Sequence, residues 1–337
     1  MRIGRNVILP RLLLVLPAAP ALGGIFRVHP DGSDLNDGSD WQHAKATVQA
    51  AIDAALEGDE IWVAEGTYAE HIHNRISGEL AVNVALYGGF AGDETSREER
   101  DPAAHRTTLD GTNSGIVVTI TGLAGRDTRI DGFHIINGYA SGFTSDGGGL
   151  SVVGSAPVIA NNVIANNLAD GVGGGMRLFG HKVTSPVQQA EISGNILYNN
   201  RAVYGGGIGL IGASPDVVGN RIARNYVSGF GGGIGCWTSD SAKVCSPLIA
   251  GNLIYENGAN FIEGVMLLGG GGIFATSDRV DGQPVAFGIA APTIADNFVA
   301  ANNAARSGGG IVVIDSEIEA ATIVNNTIVA NNGSGIY

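Results

Sequence analysis

Two groups of side chains in this sequence carry residue types that general acid–base chemistry uses. They are Arg129, Asp131 and His134 beside one predicted strand, and Arg177, His181 and Lys182 beside another. A basic side chain next to a carboxylate or an imidazole could move a proton to or from a substrate. The alternative is that these residues form solvated surface or loop contacts, and we favour that alternative because no further catalytic motif accompanies them.

An acidic loop near the start of the chain offers oxygen ligands for a metal ion. Asp31, Asp34, Asn36, Asp37 and Asp40 are the hard ligands that calcium prefers. Their spacing misses the usual calcium loop, because a leucine stands where the pattern needs Asp or Asn. Asx turns, in which these side chains accept backbone N–H groups, are the favoured interpretation.

Two cysteines, Cys236 and Cys245, flank a polar stretch. An exported protein would join them in a disulfide that closes this one loop, because oxidising compartments favour the bond. Two free thiols are the alternative, since spacing alone does not determine geometry.

Six copies of the pattern apolar-x-x-Asn-x-apolar-x-x-Asn organise the second half of the chain. The first slot holds Asn162, Asn195, Asn220, Asn252, Asn297 and Asn326, and the second holds Asn167, Asn200, Asn225, Asn257, Asn302 and Asn331. A Gly-Gly-Gly triplet follows each copy except the last, at variable distance, and a further triplet begins at Gly147. Variable repeat length is typical of a superhelix whose insertions leave through loops.

The pattern predicts coils of three short strands, each coil hydrogen-bonded to the next at about 4.8 Å. Alternation sends the apolar residues of each strand into the interior. We expect each asparagine to take the left-handed conformation of a tight corner and to bond to the same amide one coil up and one coil down. Glycines would supply positive φ and close backbone approach at another corner.

With these features the chain resembles the pectin-lyase-like superfamily of right-handed parallel β-helices, from about Ile25 to Tyr337. Its Gly-Gly-Gly-Ile marks are also similar to repeats of polymorphic outer-membrane autotransporters. The resemblance implies an all-β, single-stranded right-handed parallel β-helix with an N-terminal capping helix. The motifs are specific for this fold and not for an activity.

Three segments follow from this interpretation. Residues 1–21 are predicted to be a signal peptide, with two early arginines, an apolar stretch and a small-residue cleavage site. Residues 22–59 form the N-terminal cap, with an amphipathic helix over 44–56 that presents Val48, Ala51, Ile52 and Ala55 on one face. Residues 60–337 form the β-helix, and Tyr337 ends a half-finished coil that further coils of a longer parent chain would complete. We therefore expect an exported protein, secreted or held at the cell surface.

The charge balance restricts the partners. Acidic residues outnumber basic ones 32 to 19, and the net charge of -13 disfavours nucleic acid and anionic membranes. We expect a polyanionic ligand to need a bridging cation. No segment after the first 21 residues approaches the ~20 apolar residues of a membrane span.

The resemblance implies a site on one long face, where acidic residues of neighbouring coils bind calcium or act as acid and base beside a basic residue. The outward columns after the glycine corner contain no carboxylate. They instead hold Arg177, Phe179, Trp237 and Phe274, which would form an exposed binding strip for successive sugars. The alternative is that insertions fold over these rings and make a satellite core.

Two functions therefore stay open. The first is an exported scaffold without an evident catalytic site that binds extended polysaccharide and requires no cofactor. The second is a calcium-assisted polysaccharide lyase or another carbohydrate-active enzyme. We favour the first, because the motifs of hydrolases and epimerases on this fold are missing and sites are grafted on folds.

Overall fold

Four parallel sheets make up the architecture of the computed structural model, which describes residues 23–74, 83–122, 124–142, 146–180, 189–238, 244–259, 269–277, 290–304, 308–314, 320–333 and 335–336. Every pairing between neighbouring strands is parallel. From β8 to β31 each successive coil of the chain adds one strand to each sheet, and the two coils before β8 add strands to three of the sheets, which is the arrangement of a right-handed parallel β-helix. The predicted signal peptide, residues 1–21, lies outside the described residues.

Sheets 1 and 2 are the longest, with ten and nine strands. Sheet 1 contains β1 Ile25–Val28, β2 Glu60–Ala64, β5 Ala85–Phe90, β8 Arg129–Asp131, β12 Val158–Ala160, β16 Glu191–Ser193, β20 Asp216–Val218, β24 Leu248–Ala250, β28 Thr293–Ala295 and β32 Thr322–Val324. Sheet 2 contains β3 Gly66–Tyr68, β6 Thr107–Asp110, β9 Phe133–Ile136, β13 Val163–Ala165, β17 Ile196–Tyr198, β21 Arg221–Ala223, β25 Leu253–Tyr255, β29 Phe298–Ala300 and β33 Thr327–Val329.

Sheets 3 and 4 complete the coil. Sheet 3 contains the short strands β10 Tyr139–Ala140, β14 Leu168–Ala169, β18 Arg201–Ala202, β22 Tyr226–Val227, β26 Gly258–Ala259 and β30 Asn303–Ala304. Sheet 4 contains β4 Ile72–His73, β7 Val118–Thr121, β11 Leu150–Val153, β15 Met176–Phe179, β19 Ile208–Ile211, β23 Ile234–Trp237, β27 Ile273–Thr276 and β31 Ile311–Ile314.

A complete coil thus has four strands, and the expectation of three was wrong. The coil that runs from β20 to β23 shows the order: sheet 1, sheet 2, sheet 3, sheet 4. The extra strand arises because the second asparagine corner separates a two-residue strand from the longer strand before it. The chain therefore bends twice, at two similar corners, before it reaches the glycine triplet.

Apolar side chains from the strands fill the interior as one continuous core. The central residue of each short strand points inward, as Val217 does in sheet 1 and Ile222 in sheet 2, and both are fully buried. In sheet 4 the first and third residues point inward instead, as with Ile234 and Cys236. Burying each such side chain stabilises the fold by about 1.5–3 kcal/mol relative to leaving it exposed.

The residue before each ladder asparagine, and not the asparagine itself, takes the left-handed conformation. At the first corner these residues are Asn161, Gly194, Gly219, Gly251, Asp296 and Asn325, and at the second they are Asn166, Asn199, Arg224, Glu256, Ala301 and Ala330. The expectation that the ladder asparagine holds this conformation was therefore wrong. Because the preceding residue makes the turn, the side-chain amide of the asparagine can extend along the axis of the β-helix.

Both asparagine columns form continuous hydrogen-bonded ladders. Asn195 shows the pattern: its Nδ2 donates to the Ile159 carbonyl of the coil before (2.8 Å) and to Asn220 Oδ1 of the coil after (3.0 Å). Its backbone N–H donates to the same Oδ1 at 2.9 Å. The second column repeats these bonds, for example from Asn200 to Asn225. Each amide therefore connects three coils without leaving a buried donor unpaired.

The glycine triplets form the corner between sheets 3 and 4, as expected. The first glycine has positive φ, for example 72° at Gly173 and 71° at Gly231. The second and third lie against the next coil: a Cβ on Gly174 would be 2.4 Å from the carbonyl oxygen of Arg201. Only glycine allows coils to stack this closely.

The N-terminal region contains the one α-helix in the described part of the chain, α1 Val48–Ala54. Thr47 caps it by accepting the N–H of Ala50. The helix buries Val48, Ala51 and Ile52, three of the four residues of the predicted face, but it is shorter than the predicted 44–56 and Ala55 is its C-cap. The strand β1, placed in the cap by the sequence, is the edge strand of sheet 1 and pairs with β2. None of the described helices is long and apolar enough to span a membrane.

Candidate functional site

Sheet 4 brings the four predicted strip residues to one face, but the rings are not exposed. Trp237 is 6% exposed and Phe274 is fully buried. Phe230 precedes a glycine corner and contacts both rings, with centroids 5.3 Å from Trp237 and 4.2 Å from Phe274. Tyr204 adds an edge contact to Trp237. The expectation of an exposed aromatic strip was therefore wrong at these two positions, because the segments before the corners fold over the sheet.

These rings belong to a satellite core, which was the alternative interpretation. Its buried members are Val172, Ile211, Phe230, Trp237, Phe274 and Val312, and Phe179 packs against it while partly buried. The covering residues come from the short segments between sheets 3 and 4. The predicted covering insertions fall largely outside the described residues.

Arg177 lies at the edge of this satellite core. Its guanidinium stacks on the Phe179 ring at 4.7 Å, and its Nε is 3.2 Å from a carboxylate oxygen of Asp146. Burial lowers the pKa of Arg177, and the nearby Asp146 charge partly offsets that shift. Its predicted neighbours His181 and Lys182 lie outside the described residues.

The other candidate group is held in an ion-pair cluster. Asp131 is buried between Arg100, whose Nη2 is 2.6 Å away, and Arg129, whose Nη1 is 2.8 Å away. Asn161 also donates to it. His134 lies on sheet 2, and burial lowers the pKa of its imidazole, with a smaller contribution from Arg106. The carboxylate of Asp131 is thus occupied by structural partners, which agrees with the interpretation as loop contacts.

Carboxylates of the acidic loop accept backbone N–H groups. Asp37 Oδ1 accepts the N–H of Ser39, two residues on, which is the expected Asx turn. Asp34 Oδ1 instead accepts the N–H groups of Ala46 and Thr47 at 3.0 and 2.9 Å, before the first helix, and is not an Asx turn. Among the described residues there is no group of three or more His, Cys, Asp or Glu side chains that could hold a metal ion.

A lyase would need several acidic side chains beside a basic one. Two acidic side chains lie beside an arginine next to sheet 1. Glu191 and Asp216 are neighbours in register on β16 and β20. Arg126 lies 2.9 Å from Glu191 and 3.9 Å from Asp216, so both carboxylates face one cation. Two acids beside an arginine form a surface ion-pair network, and they do not form the three-acid site that the resemblance implies.

Cys236 and Cys245 are joined by a disulfide, with Cα atoms 6.1 Å apart. Both are fully buried in the main core. The bond closes the loop between sheets 4 and 1 at this coil, as expected.

Sheets 2 and 3 carry a row of outward-facing aromatic, aliphatic and arginine side chains over four consecutive coils, which we call the outer strip. Its members are Ile196, Tyr198, Arg201, Arg221, Tyr226, Leu253, Tyr255 and Phe298. Leu253 is 38% exposed and Phe298 and Tyr226 are each 43% exposed, whereas Tyr198 and Tyr255 are half-buried. Four coils extend over roughly 14 Å along the helix. The outer strip therefore presents apolar side chains and two arginines to the solvent.

Contacts within the outer strip hold several of these side chains in place. Arg221 Nε donates to the Tyr255 hydroxyl at 2.7 Å, and its guanidinium lies 5.2 Å from the centre of that ring. The Tyr226 ring lies over Gly258, where a Cβ would be 2.8 Å from the ring. Ring positions fixed in this way reduce the entropy cost of binding.

The sequence contains the signal for the outer strip in the x slots of the repeat. The slot after the first asparagine holds Ile196, Arg221, Leu253 and Phe298, and the slot two residues later holds Tyr198 and Tyr255. Alternation places both slots on the outside of sheet 2. The candidate strip predicted from the slots after the glycine corner does not include this face.

Comparisons with known proteins found similar solved structures and one matching family model. A solved structure described as "The complex structure of XylC with xylose" has 12% identity, covers 90% of this chain and 71% of its own, and has a TM-score of 0.39. A rhamnogalacturonan lyase has 16% identity, coverage of 87% and 73%, and a TM-score of 0.34. No curated protein matches the sequence. The family model described as "Protein of unknown function (DUF1565)" matches residues 31–266. The chain therefore belongs to the DUF1565 family.

Proposed function

We propose that this chain is an exported β-helix scaffold that binds an extended polysaccharide along the outer strip. The observation that carries the proposal is the exposure of apolar and aromatic side chains on successive coils of sheet 2. Phe298 and Leu253 expose 43% and 38% of their surface, although the opposite satellite core shows that this chain covers aromatic rings elsewhere. Exposed apolar rows of this kind mark binding surfaces.

The geometry of the strip suits a linear sugar chain. The coil spacing of about 4.8 Å is close to the length of one sugar unit, so equivalent side chains recur once for each sugar. Flat rings such as Tyr198 and Tyr255 can lie under the apolar faces of sugar rings. Tyrosine hydroxyls and arginine N–H groups nearby can bond to sugar hydroxyls.

Export fits this ligand, because extended polysaccharides are found outside cells. The disulfide between Cys236 and Cys245 is typical of oxidising compartments. The predicted signal peptide in residues 1–21 would deliver the chain there.

The test is affinity electrophoresis through gels that contain soluble polysaccharides, neutral and charged. We expect retardation by at least one polymer, and about tenfold weaker binding for Tyr198→Ala/Phe298→Ala, because two stacking rings are lost. These two substitutions do not remove the hydrogen bond between Arg221 and Tyr255. A matched control, Val218→Ala/Val324→Ala, truncates two exposed residues on sheet 1 and should bind as the wild type does. Unchanged binding by the ring variant, or no retardation by any polymer, would exclude the proposal.

A further inference from the structure

We propose that the outer strip selects anionic polysaccharides through direct contact with Arg201 and Arg221, without a bridging cation. This inference rests on the proposed function and names the class of its ligand. It replaces our expectation that a polyanion would need a cation to approach a protein of net charge -13.

The first observation is where the positive charges lie. From residue 189 to residue 336, the described part of the chain contains three lysines or arginines, Arg201, Arg221 and Arg224. Arg221 and Arg201 occupy outward positions on sheets 2 and 3, and Arg224 holds the corner between those sheets. The described lysines and arginines of this half of the β-helix are thus concentrated on the face that carries the exposed rings.

The second observation is that two of these three charges have no anionic partner. Arg224 donates to Glu256 at 2.6 Å, and that hydrogen bond raises the pKa of the guanidinium. Arg221 instead bonds to the neutral Tyr255 hydroxyl. Arg201 is exposed and forms no hydrogen bond or ion pair of its side chain within the part of the chain that the structure describes. The strip therefore presents two uncompensated guanidinium groups.

Their positions suit a chain that carries repeated acidic groups. Arg201 and Arg221 lie on neighbouring coils and neighbouring sheets, with Tyr226 and Ile196 as their register partners. A guanidinium can bind a carboxylate or sulfate through two parallel hydrogen bonds. Within the part of the chain that the structure describes, the ion pair to Glu256 is formed by Arg224 and not by Arg201 or Arg221. More distant acidic charges are weakened by screening at physiological ionic strength.

The experiment compares polymers that share a backbone and differ in charge, with EDTA or with calcium. Carboxymethyl cellulose is paired with hydroxyethyl cellulose, and dextran sulfate with dextran. The wild type should bind at least one charged member roughly fivefold more tightly than its neutral partner in EDTA, the gain expected from two exposed ion pairs. A preference confined to one pair assigns the acidic group as carboxylate or as sulfate.

The variant Arg201→Gln/Arg221→Gln should lose this preference, so that it binds the charged and the neutral member of each pair equally. The control Arg224→Gln/Glu256→Gln removes a compensated pair on the same face and should keep the preference. Three results would overturn this inference and leave the proposed function standing. The first variant could keep the preference of the wild type, or the preference could require calcium. The wild type could also bind charged and neutral polymers equally. Failure of the wild type to bind any polymer would overturn the proposed function with it.

Discussion

Each buried ladder asparagine uses its side-chain amide in both directions along the β-helix. Asn220 Nδ2 donates to the Ile192 carbonyl at 2.8 Å and to Asn252 Oδ1 at 3.1 Å, and its Oδ1 accepts both the N–H and the Nδ2 of Asn195. The side chain is 1% exposed. Replacement of one amide therefore leaves buried groups unpaired on both neighbouring coils.

We predict that Asn220→Ala lowers the free energy of unfolding by about 1–3 kcal/mol, the cost of buried polar groups without partners. Asn326→Ala is the matched control: Asn326 belongs to the last described coil of its column and is only partly buried. It should cost less than Asn220→Ala. Reversible denaturant unfolding measures both, and an unchanged midpoint for Asn220→Ala would refute the cooperative ladder.

At the scale of the elements, the corners between strands are built by the residue that precedes each asparagine. Between β29 and β30 this residue is Ala301, with φ of 52°, whereas earlier coils have Asn166 and Asn199 at the same corner. The left-handed conformation costs more free energy for alanine than for asparagine, because the short polar side chain of asparagine can form local hydrogen bonds. The corner at Ala301 is therefore strained relative to its equivalents.

We predict that Ala301→Asn raises the free energy of unfolding by about 0.5–1 kcal/mol, part of the ~1–2 kcal/mol cost of a left-handed L-residue. Ala301→Val should have the opposite effect, because β-branched residues avoid positive φ. As a control, Ala300→Asn on the adjacent strand should not stabilise the protein. Equal effects of Asn and Val at position 301, measured by thermal unfolding, would contradict this account of the corner.

The sequence was sufficient to predict the repeating elements and the buried face of α1. It did so because apolar alternation and the Asn slots are local patterns that recur. It was insufficient to predict that Asn195 follows a turn made by Gly194, since both residue types tolerate positive φ. The second corner was also missed, because a two-residue strand such as β22 carries too little alternation to be recognised.

At the scale of the whole molecule, the sequence placed the candidate site on a sheet where the structure covers two of its aromatic rings. Alternation correctly placed Trp237 and Phe274 on the outside of sheet 4, but it could not show that Phe230 from another segment covers them. Coverage is a long-range packing property and leaves no local pattern. On sheet 2 the same alternation leads to exposed rings, because Phe298 and its neighbours have no comparable cover among the described residues.

Net charge and local charge lead to different expectations for a polyanionic ligand. The value of -13 describes the whole chain, whereas a bound polymer would contact a few side chains within a screening length. On the outer strip those side chains include Arg201 and Arg221. The proposed preference for anionic polysaccharides therefore rests on the local charge and not on the net charge.

The most direct test of the polysaccharide-binding strip is hydroxyl-radical footprinting with mass spectrometry, with and without the polymer that binds most tightly. Leu253, Tyr226 and Phe298 should be oxidised more slowly when the polymer is bound, because it covers them. Leu35 and Leu56, which are 97% and 72% exposed near the N-terminal helix, should be oxidised at unchanged rates. Protection that spares the outer strip and falls on another face would contradict the account.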